Sequence, residues 1–304
     1  MDQNAVPALI ALGETMVLIT PRDATRLADA DDVRLSIGGA ESNVAAHVAS
    51  LGHRTAWVSA LGDDVLGRRV NRMVSDLGVD TRWVAFDPSA PTGVYFKDPG
   101  HGVHYYRAGS AASRMTAESV AHVPLEDAAI VHVSGITPAL SADCAAMIDA
   151  VIDRVTSAGT GALSFDVNHR AALWAASAAA PVLLALANRS DIVFVGLDEA
   201  QTLWGCETPD EVRALIPAPA HLVVKDGDVG ATEFSAEGTV FVPAIPTEVV
   251  EAVGAGDAFA AGWLAAKLSG ATAEERLQSG HGRAHLVLQS TDDVVGIVTT
   301  DAAR

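Results

Sequence analysis

The 304-residue sequence predicts an α/β fold: a mostly parallel sheet covered by helices on both faces, with a small β-flap inserted into that body. Three observations predict it. Short apolar, β-branched runs alternate with Ala-rich stretches of helical pattern. Several of those runs end in Gly or Asp, where a strand gives way to a loop. Two regions, Met16 to Ile37 and Thr92 to Arg107, break the alternation with short extended pieces separated by turn residues.

Taken in order, the apolar runs predict strands over Ala8–Leu12, Thr55–Ala60, Ile130–Ser134, Leu163–Val167, Ile192–Val195 and Leu222–Val224. Between them, helical patterns cover Ser42–Leu51, Leu66–Leu77, Ala142–Ala158, Pro181–Asn188 and Ala258–Leu268. Strand, helix, strand, helix implies right-handed crossovers between parallel strands. The flap pieces are Met16–Ile19, Val94–Phe96 and Val103–Tyr106. There is no repeat, no Pro- or Ser-rich linker and no low-complexity tract beyond Ala richness, so one unit with a flap is the expected organisation.

Composition narrows the function. Hydrophobic residues make up 49% and charged residues 19%, enough for a sizeable core. Twenty Lys and Arg against 38 Asp and Glu give a formal net charge of -18. Such a surface repels nucleic acid and anionic lipid, so neither is expected as a partner. It also repels an anionic substrate at long range, so an anionic ligand needs locally placed Arg, Lys or helix N-termini. The two cysteines, Cys144 and Cys206, form neither a disulfide framework nor a CxxC pair, and a reducing cytoplasm is expected. Met1 to Asn4 carries no basic residue, so no signal peptide is expected. The longest apolar stretch, Ala171 to Ala187, is broken by Ser177 and Pro181 and falls short of a bilayer span.

Several motifs are absent. No GxxxxGK[ST] occurs, and none of the three lysines (Lys97, Lys225, Lys267) follows the required glycine. GxGxxG, HExxH and GxSxG are missing too. His281 and His285 could share a helix face, but no third metal ligand has suitable spacing.

The strongest positive signal is Gly254-Ala255-Gly256-Asp257 leading into a clear helix. Glycines let backbone N–H groups turn toward a ligand, and the helix N-terminus adds partial positive charge, so an anion fits there. Asp257 either caps the helix or serves as base for a hydroxyl attacking that anion. A second glycine pair opens Gly38-Gly39-Ala40-Glu41-Ser42-Asn43, either a capped tight turn or a polar ligand site. Tyr105-Tyr106-Arg107 on the flap suits a polar, anionic small molecule, or is edge-strand surface. Asp166-Val167-Asn168-His169-Arg170 stands at the end of a predicted buried strand, where ligands bind in open α/β sheets. Lys225-Asp226-Gly227-Asp228-Val229-Gly230-Ala231 follows another strand and either wraps a nucleotide or forms a glycine-rich hairpin turn.

Together these motifs carry a family resemblance. GAGD followed by AFAAG resembles the C-terminal signature of the ribokinase-like carbohydrate kinases, and GGAESN resembles their N-terminal sugar-binding signature. Tyr105-Tyr106-Arg107, Ser134 to Leu140 and Asp166 to Arg170 resemble the 2-keto-3-deoxygluconate kinase branch. The likeness runs from about Leu9 to Asp293.

The resemblance implies a ribokinase-like three-layer α/β/α sandwich formed by residues 1–304 as one domain, with a β lid from about 14–38 and 92–107. It implies ATP and Mg²⁺ as cofactors and phosphorylation of the terminal hydroxyl of 2-keto-3-deoxygluconate. Sibling activities on the galactonate epimer, fructose or another sugar are the alternatives, and a non-catalytic sugar-acid sensor is a remote one. Matched position by position, Asp257 is the general base, and Gly254, Ala255 and Gly256 form the anion hole. Gly39, Ala40, Glu41, Ser42 and Asn43 hold sugar hydroxyls, while Tyr95, Tyr105, Tyr106 and Arg107 close over the substrate. Arg107 is the partner for its carboxylate. Arg170 touches phosphate or carboxylate, with Asn168 nearby, and Asp293 contacts the sugar. Lys225, Asp226, Gly227, Asp228, Gly230 and His281 fall at nucleotide positions, with Gly196 on the same side and Glu199 as an outer-shell residue for Mg²⁺. Related enzymes assemble, so a homo-oligomer is expected.

Three departures stand out. Gly196 replaces the Asn of the family's Asn-x-x-Glu, Asp292 stands where a Gly commonly precedes the matching Asp, and Val294 to Val298 lacks the usual proline. Asp226 and Asp228 add negative charge beside the nucleotide loop.

Overall fold

A computed structural model describes residues 6–23, 25–290 and 292–295. Met1 to Asn4 and the stretch Gly296 to Val298, both part of the reading above, lie outside the described residues. In chain order the strands are β1 (Leu9–Leu12), β2 (Met16–Pro21), β3 (Val33–Gly38), β4 (Thr55–Gly62), β5 (Val84–Asp87), β6 (Val94–Asp98), β7 (Gly102–Tyr106), β8 (Ile130–Ser134), β9 (Ala162–Asp166), β10 (Ile192–Gly196), β11 (His221–Asp226), β12 (Gly230–Ser235) and β13 (Gly238–Pro243). The α-helices are α1 (Ala40–Ser50), α2 (Val65–Asp76), α3 (Ala142–Ala158), α4 (Ala176–Ala187), α5 (Leu197–Trp204), α6 (Pro209–Leu215), α7 (Ala255–Leu268) and α8 (Ala273–Leu288).

Nine strands form the large sheet in the order β13-β12-β11-β10-β9-β8-β1-β4-β5. Every neighbouring pair from β11 to β5 is parallel, and β12 and β13 add an antiparallel edge. The predicted strands fall on β1, β4, β8, β9, β10 and β11. The β12–β13 hairpin has no counterpart in the sequence reading, because its outer strand alternates toward solvent rather than forming a buried run.

Two apolar clusters back the sheet. Val44, Val48, Val70, Trp263 and Leu277 of α1, α2, α7 and α8 pack on one face. Ile148, Val151, Leu183, Ala200 and Val212 of α3, α4, α5 and α6 pack on the other. The result is three layers, α/β/α. Helix α4 starts at Ala176 and carries Pro181 inside it, upstream of its expected start. The far end of α7 is fixed by Glu233 of β12, which accepts from Trp263 Nε1 at 2.8 Å and pairs with Arg276 of α8.

The flap pieces join β3 in a second sheet of order β3-β2-β6-β7. Strands β2 and β3 leave the chain between β1 and α1; β6 and β7 leave it after β5. The second sheet therefore stands at the carboxyl ends of the parallel strands. Those ends deliver Glu14, Ser134, Asp166, Gly196 and Lys225 to the same side.

Candidate active site

A cavity of about 810 Å³ opens between the two sheets at the strand carboxyl ends. At one end it is lined by Gly39, Ala40, Asn43, Tyr95, Tyr105, Arg107 and Asp293. Asp166, Asn168, Arg170, Gly196, Glu199, Lys225 and the turn Gly254–Asp257 form its middle. The other end is an apolar slot whose walls include Ile245, Val249, Ala284 and Leu288, with His281 beside them.

The glycine turn behaves as its sequence demands. Gly254 has φ +88°, which favours glycine, and α7 begins at Ala255 rather than at the expected Ala258. Asp257 thus sits within the first turn. Its side chain does not cap the helix; it accepts from Asn43 Nδ2 at 2.9 Å and from Asn168 Nδ2 at 3.4 Å. The Ala255 amide donates to Ala252 O at 3.3 Å, and the next two amides of α7, those of Gly256 and Asp257, lie at the cavity wall. Asp257 is 8% exposed, and burial pushes its carboxyl up to about 7, against the Asn43 hydrogen bond and the Arg170 charge, which favour ionisation. A carboxyl titrating near neutrality beside an anion-binding helix end has the properties of a proton acceptor for an attacking hydroxyl.

Arg107 lies on the cavity wall, but its guanidinium is already engaged. Nε donates to Glu14 Oε2 at 2.6 Å, and Nη2 pairs with the same oxygen. Glu14 is buried and also accepts from the Ser110 hydroxyl. Tyr95 and Tyr105 stack at 5.7 Å between ring centroids, and the Arg107 guanidinium lies 5.8 Å from the Tyr105 ring centroid. A Cβ on Gly38 would collide with the Tyr95 hydroxyl, so that glycine is required by close approach.

Lys225 donates to Asp166 Oδ2 at 3.1 Å. Burial works against the Lys225 charge, but Asp166 and Glu199 outweigh it and hold the ammonium above its ordinary range. Glu199 spends both oxygens on backbone, accepting from His169 N–H and Gly196 N–H at 2.8 Å each. Burial raises its carboxyl, and Lys225 opposes that rise. Gly196 is the N-cap of α5, and a Cβ there would run into Asp198 Oδ1. The Asn-to-Gly departure therefore accompanies a carboxylate, Asp198, in the space a longer side chain would need.

Four residues expected at the site are not brought to the cavity wall. Glu41 is 1% exposed and points inward, its Oε1 accepting from the Ser134 and Thr137 hydroxyls. Ser42 is buried too, accepting from Thr15 Oγ1 at 2.7 Å and donating to Gly39 O. Helical rotation sends these two into the interior, while Asn43 reaches Asp257. Tyr106 is 68% exposed because strand alternation turns it away from Tyr105. Asp226 is off the wall for the same reason, Lys225 taking the inward position. His281 reaches the wall, its Nε2 paired with Val242 O at 3.0 Å. His285 is held separately by Thr247 Oγ1, and among the described residues no group of three His, Cys, Asp or Glu side chains is arranged to hold a metal. Asp292, the second departure, pairs with Arg34 of β3.

Motif reading also missed residues the site uses. Glu14 sits outside the motifs, Asp198 lies between Gly196 and Glu199 but takes no role in the motif reading, and the apolar slot is built from an irregular segment after β13 together with α8.

The chain matches the model of the pfkB family carbohydrate kinases over residues 7–299. It is 32% identical over 305 residues to a 2-dehydro-3-deoxygalactonokinase of Haloferax volcanii, covering 96% of this chain and 94% of that one. It is equally 32% identical over 303 residues to a 2-dehydro-3-deoxygluconokinase of Bacillus subtilis, with 96% and 93% coverage. Among solved structures, a PfkB protein from Polaromonas sp. JS666 superposes with a TM-score of 0.88 at 32% identity, covering 94% of this chain and 97% of that one. With the motifs, the layered fold and this coverage in agreement, the chain belongs to the pfkB family of carbohydrate kinases and is a phosphotransferase acting on a sugar.

Proposed function

We propose that the chain transfers the γ-phosphoryl group of ATP to the 6-hydroxyl of 2-keto-3-deoxygluconate. The observation that carries the reading is the Asp257 carboxyl, buried, neutral-titrating and set between the α7 amides and a wall bearing Arg107 and Arg170. Asp257 takes the proton of the hydroxyl as that oxygen attacks phosphorus. Asn43 and Asn168 orient the carboxylate. The Ala255 N–H is spent on Ala252 O at 3.3 Å, so the N–H groups of Gly256 and Asp257 stabilise charge on the transferred group. Because a sugar hydroxyl is a weak nucleophile, most of the protein's contribution is positioning and charge stabilisation.

The two arginines support an anionic sugar. A neutral sugar has less need of two guanidinium groups in a chain of charge -18. Arg107, oriented by Glu14, keeps N–H groups for a substrate carboxylate, while Arg170 serves carboxylate or phosphate. The second sheet, with Tyr95 and Tyr105, acts as a lid that excludes water.

The cavity fits a nucleotide. Its apolar slot suits a planar base, and Gly227, Asp228 and Gly230 border the same region. Mg²⁺ arriving with ATP supplies charge neutralisation of the phosphates. Both Glu199 oxygens already accept from backbone amides, which supports an outer-shell role through water. Asp198, also on the wall, is the carboxylate with the freer approach.

The galactonate epimer is the second reading, favoured by a relative of that name at the same identity as the gluconate relative. ADP release with Mg-ATP and each keto-deoxy acid separates the two. A clear preference for the gluconate epimer supports the proposal, and preference for the galactonate epimer replaces it. From the two unpaired cysteines and the family resemblance we further infer a cytoplasmic enzyme that assembles as a homo-oligomer.

A further inference from the structure

Lys97 stands on β6 of the second sheet, outside every motif, yet its ammonium is buried at 6% exposure. A buried ammonium persists only when paired and hydrogen-bonded. Lys97 Nζ donates to Asp293 Oδ1 at 3.0 Å and lies 3.8 Å from Glu251 Oε2. The other Asp293 oxygen accepts from the Tyr95 hydroxyl at 3.4 Å. Tyr95 and Lys97 are two apart on one strand and share a face, so β6 presents two donors to one carboxylate.

Both carboxylates flank the glycine turn. Glu251 Oε1 accepts from the N–H groups of Ala252 and Val253, the residues leading into Gly254. Asp293 packs on Gly254 from the other side, where a Cβ would lie 3.2 Å from Asp293 Cα. Behind Asp293, its carbonyl is paired with His47 Nε2 at 3.1 Å, and Arg283 donates to His47 Nδ1 at 3.0 Å. The backbone of Asp293 is thus fixed from α1 and α8, while its carboxylate is aimed from the second sheet.

We propose that Lys97 is a positioning residue for sugar binding: it holds the Asp293 carboxylate on the cavity wall and clamps the second sheet to the Gly254 turn. The proposal rests on the reading of Asp293 as a sugar contact. Burial pushes the Asp293 carboxyl up, and the Lys97 charge opposes that rise. With the ammonium in place, Asp293 stays an acceptor for sugar hydroxyls. Without it, a buried carboxylate beside Asp257 and Glu251 takes up a proton or turns away.

The test compares K97M, K97R, D293N and K97M/D293N with the wild type. KM for sugar, KM for ATP, kcat and Tm are measured with Mg-ATP and 2-keto-3-deoxygluconate, or the sugar the wild type phosphorylates fastest. Loss of a charge-assisted hydrogen bond predicts a sugar KM raised by about tenfold or more in D293N and K97M, with ATP KM held within about twofold. K97R recovers most of that loss, and K97M adds nothing in the D293N background, since Lys97 acts through Asp293. The double variant removes the pair together and serves if K97M alone folds poorly. A raised sugar KM in D293N with none in K97M overturns the Lys97 role alone. An unchanged D293N overturns the Asp293 reading and the proposal with it. Parallel loss for both substrates with a lowered Tm, or a further loss when K97M is added to D293N, makes Lys97 a structural residue only.

Discussion

Asp257→Asn separates the chemistry of the site from its cost to the fold. The substitution keeps the size of the side chain and removes its charge and basicity. Loss of a general base predicts a fall in kcat of about 10²-fold or more, with sugar and ATP binding retained. The same change should stabilise the protein. Burial raises the Asp257 carboxyl from 3.8 to about 7 on folding, so the wild type folds against the ionised carboxylate. A shift of that size corresponds to about 4 kcal/mol, reduced to roughly 2–4 kcal/mol because an amide cannot accept equally from Asn43 and Asn168. For a chain of this length that is a Tm gain of about 3–6 °C. The sign with pH is fixed. A carboxyl raised on folding contributes stability at low pH that is lost as pH rises through its folded value. The advantage of the Asp257→Asn variant over wild type is therefore small near pH 4, grows to about pH 7 and is constant above that. The assay is kcat by coupled ADP detection, with Tm by calorimetry at pH 4, 6 and 8. A near-native kcat would remove Asp257 from the proton transfer, and a Tm difference that does not grow with pH would show that folding does not raise its carboxyl.

The same geometry sets four other outcomes. In the wild type, kcat/KM should fall about tenfold per unit below pH 7 as the Asp257 carboxyl takes up its proton, and a flat profile down to pH 5 would remove it as the base. Arg107→Ala should raise the sugar-acid KM by about tenfold or more while ATP affinity, measured by calorimetric titration, holds; equal loss for both ligands counts against a carboxylate contact. Gly254→Ala forces a Cβ into a φ of +88° and against Asp293, so a stability loss of about 1–2 kcal/mol by urea titration should accompany a lowered kcat. Glu233→Gln leaves the buried Arg276 only the exposed Glu237 carboxylate, 3.8 Å away, as countercharge, so a stability loss of up to about 3 kcal/mol should follow, with kcat unchanged at 25 °C because the network lies at the far end of α7.

Much of the fold was legible because parallel strands are buried on both faces and read as unbroken apolar runs. Ile130–Ser134 and Ala142–Ala158 match β8 and α3 residue for residue. Strands β13 and β3 escaped because half-exposed strands carry a weaker pattern, and β12 because the buried polar pair Thr232 and Glu233 interrupts its apolar run. Glycine turns were legible at the site for a related reason. Gly254 and Gly38 occupy positions where a Cβ meets strain or collision, so their chemistry is written in a single residue type. Side-chain direction was not. Glu41, Ser42, Tyr106 and Asp226 sit in the right segments, yet helical rotation and strand alternation turn them off the wall. Nor could the sequence reveal pairs made across long separations, such as Arg107 with Glu14 or Lys97 with Asp293. Those pairs depend on the second sheet closing over the first, a property of topology rather than of local pattern.

The substrate assignment is decided by ADP release with Mg-ATP over 2-keto-3-deoxygluconate, 2-keto-3-deoxygalactonate, fructose, ribose and gluconate. The arginines on the wall predict turnover concentrated on the keto-deoxy acids, and the proposed function adds that 2-keto-3-deoxygluconate is the better of the two and is phosphorylated on its 6-oxygen. Faster turnover of fructose or ribose, or binding of a keto-deoxy acid with no ADP released, would overturn it.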